Sequence, residues 1–477
     1  MASISSLGIG SGLDLNGLLD QLRSAERQKL QPITQQKVQQ EARISAYGRL
    51  QTGVNKLQSA AVGLNDSALF QKLSASVQGE GLSASASEAA SPGRYDVTVN
   101  RLATAGTLAT QATDATYSPD EALFTEDTTL TLDFGAAYSD TDGSFDPAAS
   151  PTGTSVTMEF AAGSSLEAVR DAINANEAAG VDASIINDGS GYRLALSSRE
   201  TGAEASLVGF EFGNKDTASA NPVPLAEDTA TLRPGNDAEL DINGITITSP
   251  TNTMEEAIQG VSLTLSPEAE GSTLGVTVSR DDGSVKEAVN KWVSAYNELQ
   301  STIGRMTKPG NDGSSSGELI GDRTVRTLES RMVRDLTSAV PGGEFSLLSD
   351  LGISLDKEGR LEVDEAALDA AIAESPGEVA AFFAGDSEET GMAGTFNATL
   401  ERMLDDNGTL SNAIEGAENR VESLGERYTR MEASVERTVE RYRSQFAQLD
   451  SMIASMNQTS TYLIQQFDSL NAQLGRD

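Results

Sequence analysis

Residues 421–474 read VESLGERYTRMEASVERTVERYRSQFAQLDSMIASMNQTSTYLIQQFDSLNAQL, with an apolar residue at almost every third or fourth position. Ser460 interrupts the series, no proline falls inside it, and the opposite side of the pattern is Glu, Arg, Gln and Ser. This spacing predicts a long amphipathic helix whose apolar stripe is covered by other helices. The C-terminal stripe consists of Val421, Leu424, Tyr428, Met431, Val435, Val439, Tyr442, Phe446, Leu449, Ile453, Met456, Leu463, Phe467, Leu470 and Leu474.

The stripe also predicts a boundary. Steps of three and four alternate up to Val435, and Val435 to Val439 adds a second consecutive step of four. Such a stutter locally unwinds a supercoil, so we predict that it marks the junction between a helical domain and a terminal coiled coil. As one continuous helix, residues 411–474 would span about 95 Å at roughly 1.5 Å per residue, which is too long for a globular domain.

Composition excludes several classes of protein. The chain has 477 residues, enough for two to four domains, and 34 Lys and Arg against 71 Asp and Glu give a formal charge of −37. Residues 113–240 hold 23 acidic and 5 basic residues, a net charge of −18. So acidic a surface repels nucleic acid and anionic lipid. No stretch approaches the ~20 apolar residues of a membrane span.

The chain contains no cysteine and no histidine. Thiolate and imidazole chemistry, the common zinc sites and the Ser-His-Asp arrangement are therefore excluded, and we expect no enzyme, cofactor or metal site. Paired carboxylates could serve a glycoside hydrolase, but aromatic residues to line a sugar cleft are only 5% of the chain. The N-terminal segment lacks the basic start and apolar run of a secretory signal, so export would need another route.

The two ends are helical in pattern. Asp14 precedes Leu15, Leu18, Leu19 and Leu22 as a helix N-cap does, and Pro32 can restart the helix. A third stripe follows a capping box of Ser284 and Glu287. In that stripe, we expect Trp292, Tyr296 and Leu299 to form the core of a helical domain.

The middle is strand-rich. Tyr95, Val97 and Val99 alternate as a half-buried strand does, and hairpins are predicted around residues 187–189 and 357–359. Capping boxes predict helices after Ser164 and after Ser375-Pro376-Gly377-Glu378. A βαβ-like unit is expected over residues 245–265, with a capped helix from Thr253 to Gly260 between two strands.

Longer blocks of sequence then indicate a family. Near its start the chain contains LGIGSGLDLNGLLDQLRSAERQKLQP and ISAYGRLQTGVNKLQ. It continues with SPGRYDVTVNRLATAGTL and later contains AVNKWVSAYNELQ, ELIGDRTVRTLESRM and LSDLGISLDKEGRLEVDEAALDAAI. Its segment SSLEAVRDAINANEAAGVDASIINDGSGYRLALSS resembles a small α+β motif of flagellar axial proteins. In order and spacing, most of the chain resembles the flagellar filament cap family (hook-associated protein FliD), and residues 113–151 resemble it least.

The resemblance implies an α+β multidomain fold in which the two chain ends pair as coiled-coil legs. The expected divisions are a terminal leg of residues 1–45 and 440–477, a helical domain of residues 46–80 and 281–439, a β-rich domain of residues 81–112 and 236–280, and an inserted outer α+β domain of residues 113–235.

It also implies a function. Several copies would form a ring at the distal tip of the growing flagellum, fold and insert flagellin, and prevent its loss. The chain would leave the cell through the flagellar type III apparatus, with an export chaperone on its C-terminal segment, and would meet hook-filament junction proteins. Alternatively, its acidic outer domains could make it a tip adhesin that binds mucin or host glycans.

The partner-binding residues expected on the legs lie on both chain ends. Each is expected to pack on the other end of the chain or on equivalent helices of flagellin. They are Leu15, Leu18, Leu22 and Ile33 at the N-terminal end, and Leu449, Ile453, Met456, Leu463, Phe467 and Leu470 at the C-terminal end.

Overall fold

A computed structural model describes residues 12–139, 141, 143–219, 221, 223–310, 316–387 and 390–473. The helices are α1 Leu15–Arg27, α2 Gln31–Asn65, α3 Ser67–Gln71, α4 Leu166–Ala175, α5 Asp282–Thr307, α6 Arg323–Thr337, α7 Glu365–Glu374, α8 Pro376–Phe383, α9 Gly391–Leu404 and α10 Thr409–Gln473.

The strands are β1 Leu73–Gln78, β2 Leu82–Ala86, β3 Gly93–Arg101, β4 Thr107–Thr110, β5 Thr128–Phe134, β6 Ser155–Phe160, β7 Val181–Asn187, β8 Tyr192–Ser198, β9 Leu207–Asn214, β10 Glu227–Arg233, β11 Ala238–Ile242, β12 Ile245–Ser249, β13 Thr253–Ile258, β14 Val261–Leu265, β15 Thr273–Arg280, β16 Ile353–Leu355 and β17 Leu361–Val363.

The chain forms two compact units. Unit 1 combines both ends, residues 1–70 and 282–477, and unit 2 is the continuous segment 71–281. Unit 1 is helical apart from the β16–β17 hairpin, and unit 2 is mostly strands, with α4 against β7. This arrangement confirms the predicted α+β fold with a β-rich insertion between paired terminal helices.

Unit 1 has a continuous apolar core built around α2, which packs against α5, α9 and α10. Trp292 is fully buried on α5 and meets Phe396 of α9 edge-to-face, with ring centroids 5.7 Å apart. Tyr296 is also fully buried, and its hydroxyl donates to the carbonyl of Gly359 at 3.1 Å. Leu299 lies on the same buried face of α5. These three side chains hold α5 in the core of the unit.

Unit 2 contains a five-stranded sheet in the order β1-β15-β3-β11-β12 and a three-stranded sheet β13-β14-β2, which share one core. A second core lies between the sheets β10-β4-β8-β7 and β6-β5-β9 and helix α4. The strands pair antiparallel throughout. The two predicted hairpins around residues 187–189 and 357–359 are confirmed.

The prediction of a helix from Thr253 to Gly260 is wrong, because Thr253–Ile258 is strand β13 and pairs with β14. Met254 and Ile258 are both buried, four residues apart, a spacing that places two residues on one face of a helix and equally on one face of a strand. The irregular residue is Glu256, which lies between them and is exposed. Glu256 has φ of 64°, and the pairing advances three residues on β13, from Glu255 to Ile258, against one on β14, so this bulge keeps Glu256 out of the core and places Ile258 opposite Val261.

Three capping predictions also need correction. The N-cap of α4 is Ser165, whose hydroxyl accepts from the amide of Ala168, rather than Ser164. Helix α5 begins at Asp282, which places Ser284 inside its first turn.

The box at Ser375 and Glu378 does not form, although Pro376 opens α8 as predicted. The carboxylate of Glu378 instead accepts the backbone amide of Glu344 at 2.8 Å.

One domain boundary was expected after residue 80, at the end of the first segment of the helical domain, residues 46–80. Strand β1 lies inside that range. It belongs to unit 2, where it pairs with β15. The finer division into four domains stays a proposal.

Candidate interaction surfaces

At the N-terminal end of the described chain, α1 packs against α10, so the two chain ends are paired there. The Asp14 carboxylate caps α1 by accepting the amide of Gly17 at 2.8 Å, as predicted. Across the pair, Arg23 reaches Glu436 at 3.4 Å between side chains that are both about half exposed. Such an exposed ion pair stabilises by no more than about 1 kcal/mol, so apolar packing provides most of the stability.

Burial along α10 ends partway along the helix. Val435 and Val439 are buried, Tyr442 and Phe446 are half-buried, and no described residue beyond Val439 is buried. Helix α10 itself continues without a break to Gln473. The predicted junction at the stutter stays a prediction, since the helix is continuous there and only its covering ends.

The predicted leg residues fall into two groups. Leu15 and Ile33 are buried, and Leu22 and Ile453 are half-buried. Large exposed fractions are found for Leu18 (44%), Leu449 (44%), Met456 (66%), Leu463 (49%), Phe467 (64%) and Leu470 (52%). Within the described chain these exposed residues are not brought into a buried contact with α1 or α2, so only the proximal part of the expected pairing is formed. Leu474 lies outside the described residues.

A long stretch within the exposed part of α10 carries no charge. The 17 residues 451–467, between Asp450 and Asp468, contain no Asp, Glu, Lys or Arg. Elsewhere on α10, charged residues occupy the exposed face, as at Glu436 and Arg443. A solvent-facing helix surface is normally charged, so an uncharged one is typical of a helix enclosed on several sides. We call residues 451–467 the distal segment.

Sequence reasoning followed the stripe and missed this property. Met452 and Ile464, 67% and 57% exposed, widen the apolar face, and Tyr462 lies outside it. The remaining exposed positions are Ser, Thr, Asn and Gln. These side chains can form hydrogen bonds with neighbouring helices at little desolvation cost. A count of consecutive uncharged residues would have identified the segment.

A buried polar cluster joins α2 to the start of α6. The Asp322 carboxylate accepts from the Tyr47 hydroxyl and from the Arg43 guanidinium, each at 2.6 Å, and caps α6 through the amides of Thr324 and Val325. Burial raises the pKa of Asp322, but these hydrogen bonds outweigh it and lower the pKa below the usual value. These contacts fix the start of α6 against α2.

In unit 2 several basic side chains form ion pairs with nearby carboxylates. Arg193 pairs with Asp188 at 2.5 Å and Asp228 at 2.7 Å, and Arg199 pairs with Asp182 at 2.7 Å. Lys215 pairs with Glu159, and Arg170 with Asp171. The excess of carboxylates between residues 113 and 240 therefore faces solvent without compensation.

Among the described residues, no group of three or more His, Cys, Asp or Glu side chains could hold a metal ion. In the same part of the chain, no helix combines the length and apolarity needed to cross a membrane.

Comparison with known proteins identifies the family. The family model for the C-terminus of flagellar hook-associated protein 2 matches residues 235–458, and the model for its N-terminus matches residues 11–106. A flagellin hook IN motif matches residues 139–200.

Relatives match over the whole length. The chain is 34% identical to flagellar hook-associated protein 2 of Escherichia coli K12, over 98% of this chain and 99% of the relative. It is 33% identical to that of Salmonella typhimurium, over 99% and 100%. A crystal structure of the D1-D2-D3 domains of the Escherichia coli flagellar cap protein FliD covers 78% of this chain and 99% of that chain, with a TM-score of 0.57 and 30% identity.

Proposed function

This chain belongs to the flagellar hook-associated protein 2 family of flagellar cap proteins, and from that premise we propose how it works. Several copies form a ring at the distal tip of the growing flagellum, outside the cell. The ring promotes the folding and insertion of exported flagellin and prevents its loss. The role is structural, with no catalytic step.

The observation that carries this proposal is the distal segment of α10. It is helical, exposed and free of charge, and its apolar side chains have no partner helix in the described chain. An isolated helix with such a surface gains its stability only when other helices cover it. Flagellin helices at the filament tip are the covering we propose, and hook-filament junction proteins would provide it when the first filament subunits assemble.

The same surface explains why a chaperone would be needed before export. A helix with Phe467, Leu463 and Met456 exposed would associate non-specifically in the cytoplasm. We propose that an export chaperone covers this segment, and that the chain then travels through the flagellar type III apparatus.

Charge substitution tests the proposal. The variant L463E/F467E should leave the core of unit 1 intact, because both side chains are exposed. We expect the variant to form rings in solution, while cells that carry it shed flagellin into the medium and lose motility. Burying two carboxylates in a helical contact costs several kcal/mol, enough to abolish docking.

The matched control is S444E/Q448E, which adds the same charge four residues apart on an exposed, charged part of α10. It should retain flagellin as the parent chain does. Normal flagellin retention in the L463E/F467E strain would overturn the proposal.

Adhesion is a second candidate, favoured by the uncompensated carboxylates of residues 113–240. Such a surface would repel sialylated or sulfated mucin and would suit neutral or basic host glycans. Deleting residues 113–235 should abolish glycan binding and spare filament growth. If binding to immobilised neutral or basic glycans survives this deletion, adhesion does not use the outer domain.

A further inference from the structure

Strand β12, Ile245–Ser249, forms an edge of the five-stranded sheet in unit 2. It pairs with β11 on one side, and its other side has no strand partner among the described residues. Ile245 is 68% exposed, and Thr246 and Thr248 are also exposed. An exposed edge offers unpaired backbone groups to any strand that approaches.

The hairpin geometry shows which backbone groups face outward. Asn243 and Gly244 both have positive φ, 51° and 84°, which makes a two-residue turn of type I′. The flanking pair Ile242–Ile245 is then a hydrogen-bonded pair, and so is Leu240–Ile247 two residues on. The amide and carbonyl groups of Thr246 and Thr248 therefore point away from β11.

Both ends of this strand are held in place. The amide of Asn243 donates to the carbonyl of Asp96 at 3.0 Å, and the Asn243 side chain accepts the Asp96 amide at 2.9 Å. Beyond the strand, the Thr201 hydroxyl donates to the carbonyl of Pro250 at 2.7 Å. An edge that is already ordered has little conformational entropy to lose on pairing.

Other edges in unit 2 are protected by charge. Strand β13 carries Glu255 and Glu256 with a bulge, and β10 carries Glu227, Asp228 and Arg233. Strands β6, β7 and β9 each contain a carboxylate. Strands β1 and β2 are uncharged but lie beside each other. Strand β12 lies in a run of 13 uncharged residues, 242–254, so it lacks the charge protection of these edges.

We propose that β12 is a self-association strand, through which two copies of this chain pair antiparallel about Ile247. In that register Thr246 faces Thr248 of the second copy, and both present outward backbone groups, so the two-fold axis generates four hydrogen bonds. Ile247 faces its own equivalent across a non-hydrogen-bonded pair, where side chains are closest. The five-stranded sheets of the two copies become one continuous sheet.

Symmetry favours a second copy as the occupant, and charge restricts where two copies can meet. Each chain carries a formal charge of −37, so two copies repel one another over most of their surface and can meet most easily at an uncharged edge. The nearest carboxylates, Asp241 and Glu239, lie one strand further in. They are already hydrogen-bonded, to Thr246 and to Asn100. The strand is also close to symmetric about Ile247, as a two-fold contact requires.

This contact is two-fold, so it links copies in pairs and differs from the head-to-tail contact that closes a ring. It stands apart from the distal segment of α10 and from the proposed cap function. Failure of one would leave the other unaffected.

The absence of native cysteine makes cross-linking a direct test. Cα atoms of a non-hydrogen-bonded antiparallel pair lie about 4.5 Å apart, within disulfide range. The full-length I247C chain should therefore form a disulfide-linked dimer under mild oxidation. The control is I186C, an exposed apolar position on edge strand β7, which also contains Asp182. It reports cross-linking caused by proximity alone, including association through α10.

A second variant, T248P, removes an outward amide and should be tolerated on an edge strand. We expect I247C/T248P to lose the cross-linked dimer while keeping the melting temperature of I247C. Equal cross-linking of I247C and I186C, or an undiminished dimer in I247C/T248P, would overturn the proposal.

Discussion

At the scale of single residues, Asp322 is the one charged residue that is buried in the described part of the chain. Its side chain is only 5% exposed, and it joins α2 to α6 through Arg43 and Tyr47 while capping α6. Removal of the Asp322 carboxylate would leave the partly buried Arg43 guanidinium and the buried Tyr47 hydroxyl without their acceptor. Breaking a buried pair in this way is expensive because the remaining group stays desolvated.

We predict that Asp322→Ala lowers the free energy of unfolding of unit 1 by about 3 kcal/mol, from the broken buried pair and the lost N-cap. The control is Glu318→Ala. This change removes the exposed ion-pair partner of Arg49, a residue on α2 like Arg43 and Tyr47. It should cost less than about 1 kcal/mol. Urea unfolding followed by the fluorescence of Trp292 distinguishes the two, and equal costs would contradict the role given to the cluster.

The same cluster predicts a pH dependence. Because the folded-state pKa of Asp322 is lowered, its contribution is complete above the ordinary carboxyl pKa of about 3.9. The contribution is then lost as the pH falls through the lower folded value. We expect the parent chain to lose stability more steeply than Asp322→Asn below about pH 4 in urea titrations. Parallel pH profiles for the two chains would show that this carboxylate is not the group responsible.

At the scale of elements, periodicity predicted α5, α6 and the terminal helices well because each has one apolar face against a common core. It failed at β13, where the spacing of Met254 and Ile258 fits a helix as well as a strand and a bulge breaks the alternation between them. The register of β13 is set by its partner β14, a non-local contact that no local pattern contains. The capping box at Ser375 failed for a similar reason, because the Glu378 carboxylate accepts the amide of Glu344, which is distant in sequence.

The bulge supports a specific prediction. Glu256 holds φ of 64°, a left-handed conformation that costs a non-glycine residue roughly 1–2 kcal/mol. Glu256→Gly should therefore stabilise unit 2, by up to about 1 kcal/mol after the greater flexibility of the unfolded chain is subtracted. Glu255→Gly, at the neighbouring position with ordinary φ, should destabilise it. A destabilised Glu256→Gly in thermal melts would contradict the bulge.

Helix α10 should differ in stability along its length. Residues around Val435 and Val439 are packed, whereas the distal segment has no buried residue and is exposed from Ser455 onward. In hydrogen exchange on the monomer, we expect amides of residues 455–470 to exchange orders of magnitude faster than those of residues 424–439. Equal protection in a verified monomer would mean that the distal segment is stable without a partner.

At the scale of the whole molecule, the sequence indicated that the two ends pair but not how far. Helix α10 has 65 residues and is about 100 Å long at roughly 1.5 Å per residue, and α1 and α2 both pack along it, but no described residue beyond Val439 is buried. Matching stripes could not reveal where this covering ends, because a stripe shows that a face is covered and not by which chain. The exposed remainder is what makes the chain dependent on partners.

Unit 2 should be separable from the rest. Its first and last strands pair, with Leu73 opposite Arg280, and the carbonyl of Lys72 accepts the amide of Asp281 at 2.9 Å. We predict that residues 71–281, expressed alone, fold with the full-length pattern of strands and unfold cooperatively. An excised segment that lacks a cooperative transition by circular dichroism would show that unit 1 is needed to complete its core.

The central claim is that flagellin covers the distal segment at the flagellar tip. A photo-cross-linking residue placed at Phe467 in assembled flagella tests this claim most directly, with the same residue at Ser444 as the control on a solvated, charged part of α10. We predict a flagellin adduct from position 467 and none from position 444. Adducts only between copies of this chain, or equal flagellin adducts from both positions, would contradict the account.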